Sequence, residues 1–374
     1  MFLKIVIIGA YPNSIIGFRG ALIRSFVDAG HEVTVMSAAA SADVVAQVTA
    51  LGATFRPYKV QRNGLNPLAD IMTLLAIKQA LVELAPDQVL AYTIKPIIWG
   101  GIAARLIGFN GFNGFNAMIT GLGYAFEKGS FMRNSVNYLV KHLYKFSLAN
   151  AKKVIFQNQE NRQLFVDLGL AQADKCYRVF GSGIDIDAYQ QQPLPQGKVT
   201  FLLIARLLGD KGIREFAKAA KIVKQRYPNI NCQLLGPYDS SPDHISVEEV
   251  QQWQLEGQIE YLGSTDNVIP FIQACHIYTL PSYHEGLPRT VLEAMSIGRP
   301  ILTTDAVGCR DTVINGENGW LVPVRDAKQL AHRMIWFIEN PEHWPLMANA
   351  SRKMVENSFN VNQVNAEINK IMAL

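Results

Sequence analysis

Cysteine is scarce in this chain of 374 residues: Cys176, Cys232, Cys275 and Cys309 stand far apart and form no Cys-x-x-Cys pair. That spacing indicates neither a disulfide framework nor a cysteine-ligated zinc site, and it suits a reducing cytoplasm. Long hydrophobic runs are lacking as well. Nowhere do ~18 consecutive apolar residues occur, as a membrane-spanning helix needs, and the run Ile5 to Ile8 is too short for the core of a signal peptide. The sequence therefore reads as not integral to a membrane. Charge is sparse at 18%, which argues against disorder, and 49% hydrophobic content lets the chain bury two ordinary cores. A dinucleotide fingerprint is missing too. Gly9-Ala10-Tyr11-Pro12-Asn13-Ser14 is not Gly-x-Gly-x-x-Gly, and no acidic residue ends the second strand at Met36, which disfavours a dehydrogenase. No carboxylate cluster for a divalent metal stands near either set of strands. Asp185-Ile186-Asp187 is an Asp-x-Asp, and turn-forming aspartates are its simpler explanation.

What is present alternates. Lys4 to Gly9 is an apolar run ending in glycine, Gly20 to Ala29 is apolar with helical period, and His31 to Met36 reads as a second strand. A helix over Leu68 to Leu84 precedes the strand-like Gln88 to Tyr92, and Val154 to Phe156 with Asn161 to Leu168 continues the pattern. This is βαβ alternation, the mark of a doubly wound parallel sheet. A second alternation starts at Thr200 to Ile204, passes through a helix from about Gly212 to Arg226, and returns at Cys232 to Gly236. Between the two lies Asp185 to Lys198, with three successive glutamines, two prolines and a glycine, which reads as an interdomain linker. Ligands of such sheets bind beyond the carboxyl ends of the strands, so two facing sheets would share one cleft.

The segment Leu280 to Met295 carries most of the chemistry. His276 to Leu280 is a β-prone apolar run, Pro281 to Gly286 is turn chemistry, and a helix from about Pro288 to Ile297 is stopped by Gly298 and Pro300. Its free N–H groups and positive dipole end suit a phosphate. Glu285 in the loop and Glu293 in the helix, with seven residues between them, can accept hydrogen bonds from vicinal diols, unless both are simply exposed charges. Ile204 to Gly212 adds Arg206 just past a strand and Lys211 just before a helix. An arginine there can clamp phosphate oxygens bidentately, and a lysine acts as a mobile point charge.

Pro281-Ser282-x-x-Glu285-Gly286-x-Pro288, followed by Leu292-Glu293-Ala294-Met295 and Gly298-x-Pro300-Ile301, closely resembles the paired-glutamate signature of retaining glycosyltransferases, family 4. That resemblance implies a GT-B architecture, α/β with two Rossmann-like doubly wound domains facing a central cleft. Residues 1–190 would bind the acceptor, residues 191–357 the nucleotide sugar, and a helix over about 358–374 would return to the first domain. By the same resemblance Glu285 contacts the donor sugar and Glu293 the ribose, while Arg206 and Lys211 bind the diphosphate. Backbone groups at Gly286, Leu287 and Pro288 approach the donor, although Pro288 has no N–H to give. Gly236 and Leu262 fall where the family holds its base. Gly17 lies in the loop after the first strand, which lacks the family's frequent Gly-Gly pair, and Arg19 opens the next helix. At the fourth-strand end, where many members carry a histidine, this chain has Tyr92-Thr93-Ile94-Lys95-Pro96. Lys95 there either contacts the acceptor or is a snorkelling surface lysine.

Asn116 to Phe126, with Asn66-Pro67-Leu68 and Gly17-Phe18-Arg19, is similar to the branch that extends polyprenyl-diphosphate-linked sugars in bacterial O-antigen, capsule or protein-glycan assembly. Within that motif Gly121 joins Arg19 and Lys95 on the acceptor side. The resemblance implies a UDP-sugar donor, foremost UDP-N-acetylgalactosamine or another N-acetylhexosamine; with no carboxylate cluster to hold a metal, metal-independent transfer is expected. Arg206, Lys211 and the helix N-terminus would stabilise the leaving group instead. The expected place is the cytoplasmic face of the plasma membrane, in peripheral contact with anionic lipid, and no nucleic-acid partner is expected. Residues 1–190 hold 18 Lys/Arg against 12 Asp/Glu, the remainder 17 against 19, so the first half favours an anionic partner or merely has a solvated basic face. Asn137 to Lys153 mixes apolar and basic residues and either lies on a membrane or packs its stripe on the sheet. The triple Gly-Phe-Asn at 108–116 is either a membrane-facing edge or a set of covered aromatics. A transferase with a soluble acceptor and a non-catalytic sugar-nucleotide-binding protein remain as other readings.

Overall fold

In the computed structural model the described residues are 2–61, 66–109, 114–122 and 131–374, the side chains of 131–134 excepted. The chain divides into two compact units, Met1–Ser182 with Asn362–Leu374, and Gly183–Val361. The first runs β1 (Lys4–Ile8), α1 (Asn13–Asp28), β2 (Glu32–Ser37), α2 (Ala42–Ala50), β3 (Thr54–Pro57), α3 (Pro67–Leu84), β4 (Gln88–Tyr92), α4 (Ile94–Leu106), β5 (Gly114–Ile119), α5 (Phe131–Leu148), β6 (Lys153–Phe156), α6 (Gln159–Asp167) and β7 (Cys176–Arg178). Its strands pair in parallel in the order β3-β2-β1-β4-β5-β6-β7, with Ile7 opposite Val35 on one side and Leu90 on the other. The order reverses between β1 and β4, so the ends of these two strands form the ligand-binding switch point of a doubly wound sheet.

Strands buried on both faces read as continuous apolar runs, which is why Ile5 to Ile8 and Val89 to Tyr92 were legible. One face packs under α3, α4, α5 and α6, where Ile77, Ile97, Phe115, Tyr144 and Phe165 meet. The other packs under α1 and the final helix, where Ile15, Phe26, Val364 and Ile368 meet. Phe109 and Phe115 of the Gly-Phe-Asn repeat are buried in the first of these cores, as covered aromatics. Residues 110–113 of that repeat, and 123–126 of the Asn116–Phe126 motif, lie outside the described residues.

The second unit runs β8 (Thr200–Ile204), α7 (Ile213–Arg226), β9 (Asn231–Leu235), α8 (Val247–Leu255), β10 (Glu260–Tyr261), α9 (Ile269–Ala274), β11 (Ile277–Leu280), α10 (Arg289–Ser296), β12 (Ile301–Thr304), β13 (Gly319–Val322), α11 (Ala327–Glu339) and α12 (Trp344–Met354). A π-helical turn over Val355–Phe359 then leads into α13 (Val361–Met372). The six parallel strands follow the order β10-β9-β8-β11-β12-β13, with the reversal between β8 and β11.

Two elements differ from the sequence reading. α1 begins at Asn13 rather than Gly20, so Gly17 is an exposed residue within the helix and not part of a loop. The inward positions Ile15, Arg19, Leu22, Ile23 and Phe26 extend the helical period two turns upstream of Gly20. The segment Asp185 to Lys198 is no loose linker. Buried Arg299 donates to the carbonyls of Gln192 and Pro193, and Arg352 to those of Ile186 and Tyr189, which fixes the segment on the second unit.

Candidate functional site

In the second unit, the loops after β8 and β11 meet at the switch point. Arg206 lies two residues beyond β8 and half exposed, its Nη1 donating to Asp239 Oδ2 at 2.7 Å. Asp239 is in turn held by the backbone N–H and hydroxyl of Ser241. These bonds overcome the effect of burial and keep the Asp239 carboxyl below its usual range. Lys211 ends a 3-10 turn over Gly209–Lys211. Its Nζ donates to Glu285 Oε1 at 2.8 Å and stands 3.6 Å from Asp210 Oδ2. Burial opposes the lysine's charge, yet Glu285 and Asp210 hold its pKa above the ordinary value. Glu285 Oε1 also accepts from Ser282 Oγ at 2.8 Å. Burial pushes the Asp210 carboxyl up, and its buried Oδ1 has no hydrogen-bond partner.

Pro288 caps α10 and contributes no N–H, and the helix runs inward from Arg289. Glu293, one turn inside it, is 6% exposed; its Oε1 accepts from Tyr189 Oη at 3.0 Å and Arg289 Nε at 2.9 Å. Burial raises the Glu293 carboxyl against the opposing pull of Arg289, and burial with the nearby Glu293 pushes the Tyr189 phenol up to about 12. Two glycines shape the loops. Gly308 has φ +78°, and a Cβ there would lie 2.5 Å from the carbonyl oxygen of Glu285 and 2.6 Å from that of Gly286. Only a glycine lets this loop carry Glu285 and Gly286 past it. Gly236, at φ +150°, packs on the Ala205 carbonyl, and Tyr261 Oη donates to the Gly236 carbonyl at 2.9 Å. Leu262 N–H bonds Leu234 O while Gly236 N–H bonds Gly263 O, so Gly236 and Leu262 share one corner of the sheet edge.

In the first unit, the ends of β1 and β4 carry Gly9, Ser14, Tyr92 and Thr93. Tyr58 Oη donates to the Gly9 carbonyl at 2.8 Å, and Tyr92 Oη lies 3.4 Å from Ser14 Oγ. Arg19 is 2% exposed, donates to Ser182 Oγ at 3.0 Å and lies 5.2 Å from the Tyr92 ring centre. It is an inward residue of α1's second turn, not the opening of a helix after a loop. Lys95, in the first turn of α4, is no snorkelling surface lysine. Its Nζ donates to Asp70 Oδ1 of α3 at 2.8 Å, with the two side chains 13 and 12% exposed. Thr93, the residue before α4, has φ +68° and ψ +163°, a region almost confined to glycine, and its buried hydroxyl has no partner. Gly121 lies two residues past β5, partly buried. Among the described residues no three His, Cys, Asp or Glu gather as a metal site, and no helix is long and apolar enough to cross a membrane.

Comparison with known proteins places this geometry. The family described as glycosyl transferases group 1 matches residues 185–360, and that described as glycosyl transferase 4-like matches residues 14–158. The chain belongs to the glycosyltransferases. It is 27% identical over 362 residues, 93% of each chain, to the N,N'-diacetylbacillosaminyl-diphospho-undecaprenol alpha-1,3-N-acetylgalactosaminyltransferase of Campylobacter jejuni. A UDP-Gal:alpha-D-GlcNAc-diphosphoundecaprenol alpha-1,3-galactosyltransferase of Escherichia coli is 24% identical over 79% of this chain and 77% of its own. The crystal structure of Anabaena Alr3699/HepE in complex with UDP-glucose superposes with a TM-score of 0.81, at 20% identity and 99% coverage of both chains. The two parallel-sheet domains are thus those of the GT-B fold.

For this glycosyltransferase the geometry unites Lys211 with Glu285, and sets Gly286 and Leu287 in the loop that leads to Glu293. Arg206 is bound to Asp239 instead of to either glutamate. Sequence reasoning missed Asp239, Tyr189, Ser282, Asp70 and Thr93. Of these, Ser282 alone lay inside the recognised motif. Thr93 left a signal too, as a β-branched residue directly before a helix with no side chain capping it.

Proposed function

We propose that this glycosyltransferase moves a sugar from a UDP-sugar to a polyprenyl-diphosphate-linked saccharide, with retention at the anomeric carbon. The observation that carries the reading is the charged array at the β8/β11 switch point, Lys211 bonded to Glu285 beside Arg206, with the carboxylate of Glu293 one helical turn away in the sequence. Cations at that edge suit the β-phosphate oxygens on which negative charge develops as UDP departs. Lys211 gives up one Glu285 contact to meet them. Arg206, half exposed and oriented by Asp239, offers its remaining N–H groups in fork geometry. Glu293 accepts from the ribose diol, and the Glu285 carboxylate from hydroxyls of the donor sugar. These cations take the role of a divalent ion, so transfer is expected to continue in EDTA.

The acceptor reading rests on the first-unit residues and on the substrates named for the two relatives, both diphospho-undecaprenol-linked saccharides. We assign the acceptor to the β1/β4 edge, where the strained Thr93 leads into the first turn of α4 and its Lys95–Asp70 pair. N-acetylgalactosamine is the leading sugar for the donor, following the C. jejuni relative. Gly17, exposed on α1 and outside any loop, carries no part of this assignment.

The test incubates purified protein with a panel of UDP-sugars and a synthetic polyprenyl-diphosphate monosaccharide, with EDTA present, and reads UDP release and product mass. Transfer of one N-acetylhexosamine is the expected result. Donor hydrolysis or UDP binding without transfer to the lipid-linked acceptor would overturn the acceptor assignment and point to a soluble acceptor or a binding role.

A further inference from the structure

A helix covering a sheet ordinarily turns its apolar stripe inward and its polar residues to solvent. α3 does otherwise. Its buried positions include Asp70 and Thr73, both satisfied: Asp70 pairs with Lys95, and Thr73 Oγ1 donates to the carbonyls of Lys59 and Ala69. Its outward positions include Leu68, Ile71, Met72, Leu75 and Val82, which are 76, 50, 50, 52 and 61% exposed. The first four follow the spacing i, i+3, i+4, i+7 and Val82 lies two turns further on, so they form one continuous row. Contiguous apolar surface of this kind is uncommon on a protein bathed by water alone.

The charges beside the row identify what covers it. Exposed Lys78 interrupts it, and exposed Lys59 is fixed next to it through the Thr73 bond. Among the described residues of α3 no carboxylate is unpaired, since Asp70 is bound by Lys95 and Glu83 by Arg56 and Gln79. An apolar row flanked by uncompensated cations complements acyl chains under anionic headgroups, and residues 1–190 as a whole carry the basic excess of the chain. The row begins at the end of α3 that holds Asp70, hence at the strand edge assigned above to the acceptor. α5 packs Val140, Tyr144 and Leu148 in the core and exposes Tyr138, Leu139 and Phe146, but Tyr138 stacks on His142 and Arg105 lies over Phe146, so its outward apolar residues form no uninterrupted row.

We infer that the outward row of α3 seats in the acyl–headgroup boundary of an anionic membrane, with Lys59 and Lys78 among the phosphates. This rests on the lipid-linked acceptor reading, since a polyprenyl chain stays in the bilayer and the enzyme must come to it.

The test is co-sedimentation of the full chain with vesicles of phosphatidylglycerol and phosphatidylcholine, against phosphatidylcholine alone. Wild type should partition onto the anionic vesicles, and the double variant Ile71→Glu, Leu75→Glu should do so about tenfold less or weaker still. A second readout needs no charge insertion. All four native cysteines are buried, so Leu75→Cys can be labelled selectively with a polarity-sensitive fluorophore, whose emission should shift to the blue on vesicle addition. Unchanged partitioning of the double variant, or a label that does not respond, would overturn the inference. A wild-type dimer in analytical ultracentrifugation that the double variant dissolves would also overturn it, making the row a self-association face. Transfer to a short-prenyl, water-soluble diphosphate acceptor should be the same in both proteins. Its absence from wild type would fail the acceptor reading separately from any vesicle result.

Discussion

Glu285→Ala strands the ammonium of Lys211. In the intact unit the two side chains are 14 and 19% exposed and 2.8 Å apart, so the pair is mostly withdrawn from water. Removing one partner of a buried pair costs about 3–5 kcal/mol, because the remaining charge is left uncompensated. Asp210 stays at 3.6 Å from Lys211, which puts this case near the lower figure of about 3 kcal/mol. In a domain of this size each kcal/mol lowers Tm by about 2–4 °C, so the second unit should melt about 6–12 °C earlier. Adding Lys211→Met removes the stranded charge, and the double variant should regain about 1–3 kcal/mol relative to the sum of the single losses. Calorimetry of wild type, both single variants and the double variant closes this cycle. Turnover and UDP binding separate stability from chemistry: Glu285→Ala should lose transfer and keep UDP binding, since Lys211 is then freer to meet the diphosphate. Strictly additive single losses would refute the coupling. Wild-type turnover by Glu285→Ala would refute the role given to this carboxylate.

Arg206→Ala should weaken binding of UDP and donor alike, by about 1.5–3 kcal/mol for a charged hydrogen-bond donor, read by titration calorimetry. Glu293 is raised by burial, and a raised carboxyl contributes stability that is fully present below its unfolded value of 4.5 and is lost as pH rises through the folded one. Glu293→Gln, which cannot ionise, should therefore melt above wild type at neutral pH, converge with it toward pH 4 and bind UDP more weakly; a Tm difference independent of pH would contradict this. Arg299, fully buried, donates to carbonyls of Ile272, Gln273, Ile297, Gly298, Gln192 and Pro193. Arg299→Met removes all of these bonds at once and should destabilise the second unit by about 3 kcal/mol or more, measured by denaturant titration. Thr93→Gly relieves a backbone conformation that costs about 1–3 kcal/mol, so the variant should be more stable while its KM for the lipid-linked acceptor rises.

How far the sequence disclosed these features depended on the range of the interaction. Doubly buried strands announce themselves as apolar runs, and β8 came out with the limits read from the sequence. The loop before α10 was legible because Ser282, Glu285, Gly286 and Glu293 act within one short stretch. The start of α1 was not. Pro12-Asn13-Ser14 is turn chemistry by composition, and no side chain caps the helix there, so its first turn is marked only by the inward side chain of Ile15. The partners that set the electrostatics lie farther off: Asp239 is 33 residues from Arg206, and Tyr189 is 104 from Glu293.

The Asp185 to Lys198 segment shows the same limit in another form. Its glutamines, prolines and glycine have the composition of a tether, and nothing in that composition reveals what its carbonyls bind. The binding groups are two arginines far along the chain. Arg299 joins Gln192 and Pro193 to the carboxyl ends of α9 and α10, where unpaired carbonyls concentrate negative potential. Arg352 joins Ile186 and Tyr189 to Ser296 of α10. Tyr189 is thereby held where its hydroxyl reaches Glu293. A carboxylate that must be buried, charged and correctly aimed for a ribose is thus positioned from a segment that looks featureless. The backbone of that segment, not its side-chain composition, is the structural element, and backbone acceptors leave no mark in a sequence.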